Sequence, residues 1–234
     1  MENKKTIIAI IIVLILIIGI VGITFIFSKF GKKQTILLTE ETNQILKTDI
    51  VTENIDFNIK TEKNYAVVEK AIKEYISELK NIYVEIEEIN TGINPNNIFS
   101  AQNMNEKDLS GVDNLIEEYK EKSKNCISEL ENMLTEEKIK ENITKRNITK
   151  RKGYYIDLYN TIMLSDAMKE KYNTLEEKIK DEKGKLTEKI NKIEKIKEFL
   201  EKNTESWTIK DDKIQFTNLN KMTEYYNLLN QLTD

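Results

Sequence analysis

The sequence predicts a mainly α protein. An N-terminal transmembrane helix leads into an elongated antiparallel helical bundle or coiled coil, and a small C-terminal β-hairpin with a short helix ends the chain. Three observations carry this. Residues 7–27 are an uninterrupted uncharged run, IIAIIIVLILIIGIVGITFIF. Apolar residues recur at alternating three- and four-residue steps through much of residues 61–202. Only 7 glycines and 1 proline occur, while 32% of residues are charged, a composition of long helices rather than turn-rich sheets.

The apolar run follows a short tail, residues 1–6. As a helix it would be about 31 Å long, close to the hydrocarbon thickness of a bilayer. Ile7, Leu14, Ile20 and Phe27 mark its extent as the membrane anchor. A cleaved signal peptide has a shorter apolar core and a small-x-small cleavage site. Here the run ends in Phe27-Ser28-Lys29-Phe30-Gly31, which fits cleavage poorly, so an uncleaved signal anchor is expected. Gly19 and Gly22 are three apart, not the four of the small-xxx-small dimer pattern. Lys4 and Lys5 flank one side, and Lys29, Lys32 and Lys33 the other. A strict positive-inside count favours a cytoplasmic domain by one lysine. A very short tail before a signal-like segment favours the opposite, and the expectation is a single-pass protein with its N-terminus cytoplasmic and its domain outside.

Composition narrows the function classes. Residues 1–33 hold five lysines and one glutamate, so the chain's net −4 leaves −8 on residues 34–234. A net negative domain is no general nucleic-acid binder. There is no histidine, which excludes His-based acid–base catalysis and His-ligated metals. One cysteine, Cys126, excludes an intramolecular disulfide. Lysine outnumbers arginine 34 to 2, and Ile and Asn abound, a usage that resembles an AT-rich bacterium.

Residues 28–60 read as a juxtamembrane linker. Its Ile36-Leu37-Leu38 and Ile45-Leu46 could extend a helix, and its Ile55, Phe57 and Ile59 alternate with polar residues like a short extended segment. Residues 61–202 form the long-helix bundle. Tyr65, Val68, Ile72, Tyr75, Leu79, Ile82, Ile86 and Ile89 make an unbroken a/d seam, widened by Ile76 and Tyr83. Thr61 is its expected N-cap; Asn90-Thr91-Gly92 ends it, and Pro95 lies in an Asn-rich loop. A second helix is expected from Asp108 or Ser110, with Val112, Ile116, Tyr119, Ser123, Cys126, Leu130 and Met133 as its seam, fading after Ile139. A third is expected from Tyr154 to Lys202 without interruption. Leu158, Tyr172, Ile179, Leu186, Ile193 and Leu200 share one seven-residue line on which Ser165 is the weak member. Gly184 adds about 1 kcal/mol of propensity cost without breaking the phase. Residues 203–234 hold the hairpin, with Trp207, Ile209, Ile214 and Phe216 on one face around Asp211-Asp212, and a last helix capped by Asn218.

Between the second and third helices stands a perfect repeat, NITKR at 142–146 and again at 147–151. Lys145, Arg146, Lys150, Arg151 and Lys152 form the only basic cluster of an acidic domain, a candidate contact for an anionic partner. A solvated connection is the plainer explanation. Asn142 and Asn147 match the N-glycosylation pattern, which is expected to be accidental here. Asp211-Asp212 lacks the ligand count of a Ca²⁺ site and reads as a plain turn. Trp207 is expected to anchor the hairpin, and Cys126 to be a small core residue.

Nothing in the sequence specifies a reaction. The expected role is non-catalytic: an interaction or scaffold module at the cell surface, held by membrane lipid through its N-terminal helix. Its partner would be another protein or an anionic envelope component, with no cofactor and no metal. The alternatives are a sensory or ligand-binding helical bundle and, last, an enzyme.

Overall fold

The computed structural model describes residues 29–104, 107–211 and 213–233. The anchor marked by Ile7, Leu14, Ile20 and Phe27 lies outside the described residues. Among the described residues no helix is long and apolar enough to cross a membrane. The chain is mainly helical, with nine helices among the described residues and one small hairpin. The helices are α1 (Lys29–Lys47), α2 (Asn64–Gly92), α3 (Pro95–Ile98), α4 (Ala101–Met104), α5 (Ser110–Met133), α6 (Glu136–Thr144), α7 (Lys152–Met163), α8 (Asp166–Lys202) and α9 (Leu219–Thr233). Strands β1 (Trp207–Lys210) and β2 (Lys213–Phe216) pair between α8 and α9.

The chain divides into two compact units. The first is the part up to Val84 joined by Ser128–Lys178; the second is Glu85–Ile127 with the part from Ile179 on. The divisions fall inside α2, α5 and α8.

The first unit is organised by α2. Every one of its seam residues from Tyr65 to Ile82 is buried, as are Ile76 and Tyr83. This is the helical bundle character that the heptad spacing predicts. Thr61 does not cap α2, which starts at Asn64. It is buried instead, donating from its hydroxyl to Glu69 Oε2 at 2.7 Å and from its N–H to the same oxygen at 2.8 Å. The N-cap expectation fails because a charged acceptor inside α2 offers Thr61 a stronger partner than the helix end.

Residues 29–47, expected within a linker, form a packed helix. Leu38 and Ile45 are buried, and so are Gln34, Glu41 and Thr42. Its C-terminal carbonyls receive the ammonium of Lys171, which bonds Leu46 O at 3.0 Å and also Thr48 O. A cation there satisfies orphan carbonyls and suits the helix dipole. The segment that follows does not pair as a strand: Phe57 is 51% exposed and Ile59 39%. It is tied to α2 by polar groups instead. Lys80 Nζ bonds Glu53 O at 2.7 Å, Lys73 Nζ bonds Asn58 O at 2.8 Å, and the Glu69 carboxylate accepts from the N–H groups of Lys60 and Thr61. Successive residues of the segment meet successively earlier residues of α2.

The helix expected from Tyr154 to Lys202 is two helices. α7 ends at Met163 and α8 starts at Asp166. Ser165 is the reason. Its hydroxyl donates to Ile162 O at 2.7 Å and accepts from Met168 N–H at 3.3 Å, closing one helix and capping the next. The second seam breaks in the same way at Thr135, whose Oγ1 accepts from Lys138 N–H to cap α6. Gly184 lies inside α8 and does not interrupt it.

In the second unit, Asn90 donates to Glu182 O at 2.9 Å and to Glu182 Oε2 at 2.8 Å, while Lys189 Nζ bonds Asn90 O. Val112, Ile116, Cys126, Leu186, Ile193 and Leu200 are buried. The hairpin has the expected alternation, with Trp207 opposite Phe216 and Ile209 opposite Ile214. Their outward neighbours Thr208, Lys210, Lys213 and Gln215 are exposed. Asp211 takes φ 52° in the connecting turn, a left-handed conformation that Asp tolerates. Asn218 Oδ1 caps α9 by accepting from Asn220 N–H at 2.9 Å. Against this end, Phe199, Phe216 and Tyr225 form a ring cluster with centroids 5.2–6.4 Å apart.

Candidate functional site

The basic repeat folds into the end of α6, a turn, and the start of α7, and its five cations separate into two groups. Lys145 and Arg146 pair with carboxylates, Lys145 on the surface and Arg146 half-buried. Lys145 Nζ lies 2.8 Å from Glu141 Oε1. Arg146 is half-buried: one terminal nitrogen lies 2.5 Å from Glu74 Oε2, the other donates to Asn142 Oδ1 at 2.8 Å, and Nε donates to Asn142 O. Glu141 is correspondingly acidic, its carboxyl held down to about 2 by hydrogen bonds first from Lys138 and then from Lys145. Asn142 in turn donates to Ala71 O and to the Tyr159 hydroxyl. A carboxamide so engaged is no glycan acceptor, and this half of the repeat serves to dock α6 on α2.

Lys150, Arg151 and Lys152 are exposed. They sit in a turn held by Asn64 at the start of α2, which donates from Nδ2 to Lys150 O at 2.8 Å; Thr149 Oγ1 donates to Asn64 Oδ1 at 3.4 Å. Lys152 Nζ reaches back to Thr144 O. Arg151 has φ 51°, and Lys63, just before α2, has φ 55°. Two non-glycine residues therefore hold left-handed backbone at adjoining helix starts, each at a strain of about 1–3 kcal/mol.

A tyrosine cluster links this turn to α1. Thr35 Oγ1, in the second turn of α1, donates to the Tyr65 hydroxyl at 3.3 Å, and that hydroxyl lies 3.3 Å from the Tyr154 hydroxyl. Tyr155 packs edge-on against both rings, at 5.1 and 5.0 Å. Burial, with the Tyr65 hydrogen bond behind it, raises the Tyr154 phenol well above its ordinary value. Nearby, Gln34 Oε1 accepts from Glu62 N–H at 2.6 Å, and Lys63 Nζ lies over the Phe30 ring at 4.4 Å. The first turns of α1, the start of α2 and the basic turn are thus one locus of the first unit. Lys29, Lys32, Lys33 and Lys63 are exposed there too.

Sequence reasoning missed a second polar cluster entirely. Lys73 is 1% exposed, and its ammonium contacts Glu41 Oε2 at 2.6 Å, Glu69 Oε1 at 2.7 Å and Asn58 O. Glu69 is equally buried. Burial pushes its carboxyl up, but the bonds from Lys73, Thr61 and Lys60 outweigh that and leave it below its ordinary value of 4.5. A buried Glu–Lys–Glu triad, with both Glu69 oxygens bonded and the ammonium shared by the two carboxylates and a carbonyl, is a fastening of the fold.

The remaining candidates keep structural roles. Cys126 is buried in the α5 seam. Trp207 is fully buried and donates from Nε1 to Leu200 O at 2.9 Å. Asp211 is exposed, and Asp212 lies outside the described residues. Among the described residues no group of three or more acidic or cysteine side chains could hold a metal ion. No family model, no curated protein and no solved structure matches the chain.

Proposed function

We propose that this is a single-pass membrane protein whose residues 7–27 are the anchor and whose helical part works outside the cytoplasm as a non-catalytic interaction or scaffold module. The observation that carries the reading is the apolar run of residues 7–27 directly preceding α1, whose first turns adjoin the exposed basic turn. An antiparallel course of the chain supports it. In the first unit Tyr75 meets Met133, Ala71 meets Asn142 and Asn64 meets Lys150, so α2 is retraced backwards. In the second, Asp113 pairs with Lys197 and Lys120 with Glu194, again in opposite directions. That course returns the basic turn to the end where α1 begins. The partners are membrane lipid through the anchor and a protein or anionic component of the envelope through the helical part.

A membrane-impermeant, lysine-reactive cross-linker on intact cells, with any wall removed, tests this. The chain should react without lysis and be recovered in covalent species with other envelope proteins. Reaction only after lysis would put the helical part in the cytoplasm. Reaction that yields the single chain alone would contradict the interaction role.

A further inference from the structure

We propose that the lysines at the start of α1, together with Lys63, Lys150, Arg151 and Lys152, form one cationic face that rests on anionic phospholipid head groups of the anchoring bilayer. The proposal deepens the membrane-anchored reading and rests on it. It also divides the basic repeat. Arg146, half-buried on Glu74, belongs to the fold, and the charge of Lys145 is offset by its surface ion pair with Glu141.

Four observations converge on the face. Its cations come from three separate stretches, residues 29–33, 63 and 150–152, brought together by the Thr35–Tyr65–Tyr154 hydroxyls and by Asn64 on Lys150 O. It adjoins the exit of the apolar run: Lys29 is the second residue after Phe27. Two of its members, Lys63 and Arg151, hold left-handed backbone at φ 55° and 51°. Glycine or asparagine would fill such positions with less strain, and a long cation there is what an anionic surface would favour. Finally, residues 34–234 carry −8, so a bilayer of the same sign repels that part as a whole and attraction has to come from a local cluster of cations. The acidic residues nearest to these cations along the chain are Glu62, beside Lys63, and Asp157, on α7, both exposed.

Head groups suit this face better than an acidic protein would. Lysines on flexible stems provide diffuse attraction that needs no complementary shape, and the attraction fades within a Debye length, about 10 Å at 0.1 M salt. A face at the exit of an anchor is held inside that distance.

The test uses the full chain in nanodiscs of phosphatidylcholine alone or with about one-third phosphatidylglycerol. Lysine acylation by an impermeant reagent is read residue by residue by mass spectrometry. Lys63, Lys150 and Lys152 should be acylated about twofold or more slowly in the anionic discs, and the difference should vanish near 0.5 M salt. Lys80, about 25 Å further along α2 than Lys63, serves as the reference and should react alike in both. Equal reactivity of Lys63, Lys150 and Lys152 in the two discs overturns the proposal, even where Lys29, Lys32 and Lys33 are protected. A chain that does not enter discs at all refutes the anchored reading instead.

Discussion

Lys73→Ala is expected to destabilise the first unit by about 3–5 kcal/mol, the loss typical of removing one partner from a buried charge cluster. Glu41 and Glu69 would be left facing each other without their cation, 6% and 1% exposed. The Asn58 carbonyl would lose its donor as well. Lys70→Ala is the control. Its ion pair with Glu74 is 3.5 Å long and its side chain is 61% exposed, so a change of about 0.5 kcal/mol or less is expected. Urea denaturation followed by helical circular dichroism measures both. A loss under about 1 kcal/mol for Lys73→Ala would mean that the two carboxylates find other partners.

The same cluster sets an acid limit. The Glu69 carboxyl is below its ordinary 4.5 in the folded chain. Its contribution is therefore complete above the unfolded value and is lost as pH falls below about 4.5 through the folded one. Stability should drop in that range, and Glu69→Gln should flatten the drop while lowering stability at neutral pH. An acid transition unchanged by Glu69→Gln would assign it to other carboxylates.

Trp207→Ala should be comparably severe for the hairpin end of the second unit, at about 3–5 kcal/mol. The indole is fully buried, and it donates to Leu200 O, one of the last carbonyls of α8. Helix ends leave such carbonyls without helical partners. Removing Trp207 therefore opens a cavity and takes away the shorter of two donors to Leu200 O, the other being the Asn203 N–H at 3.2 Å. Trp207→Phe separates the two effects: it restores most of the volume and leaves a loss of about 1 kcal/mol for the hydrogen bond. Amide exchange in residues 207–216 is the direct readout, since Trp207 is the hairpin's one fully buried side chain among the described residues. Exchange rates unchanged in both variants would show that the hairpin is fixed by Phe216 and Tyr225 instead.

The seams of α2 and α5 were legible because a heptad period depends only on which residues are apolar, and burial follows it closely. The hairpin was legible for the same reason at period two. The buried triad was not. Glu69, Lys73, Ile76, Lys80 and Tyr83 form a second line of alternating four and three steps along α2, but three of its five members are charged. Charge on a helix ordinarily marks a solvated face, and only the fold reveals that residues 53–61 cover this one. Ile76 and Tyr83 were the visible part of that signal. Ser165 illustrates a different limit. A serine on an apolar line reads equally as a weak core position or as a cap, and local backbone geometry decides. The basic cluster was visible as composition. Its division could not be foreseen, because Glu74, which engages Arg146, is 72 residues away in sequence.

Residues 7–27 are proposed to hold this helical protein in a membrane. Carbonate extraction of membranes from cells expressing the full chain tests it most directly, alongside a variant lacking those residues. The full chain should stay with the membrane pellet and retain its N-terminal sequence, while the shortened variant should be released. A full chain that appears in the soluble fraction, or a mature protein that begins beyond the apolar run, would contradict the account.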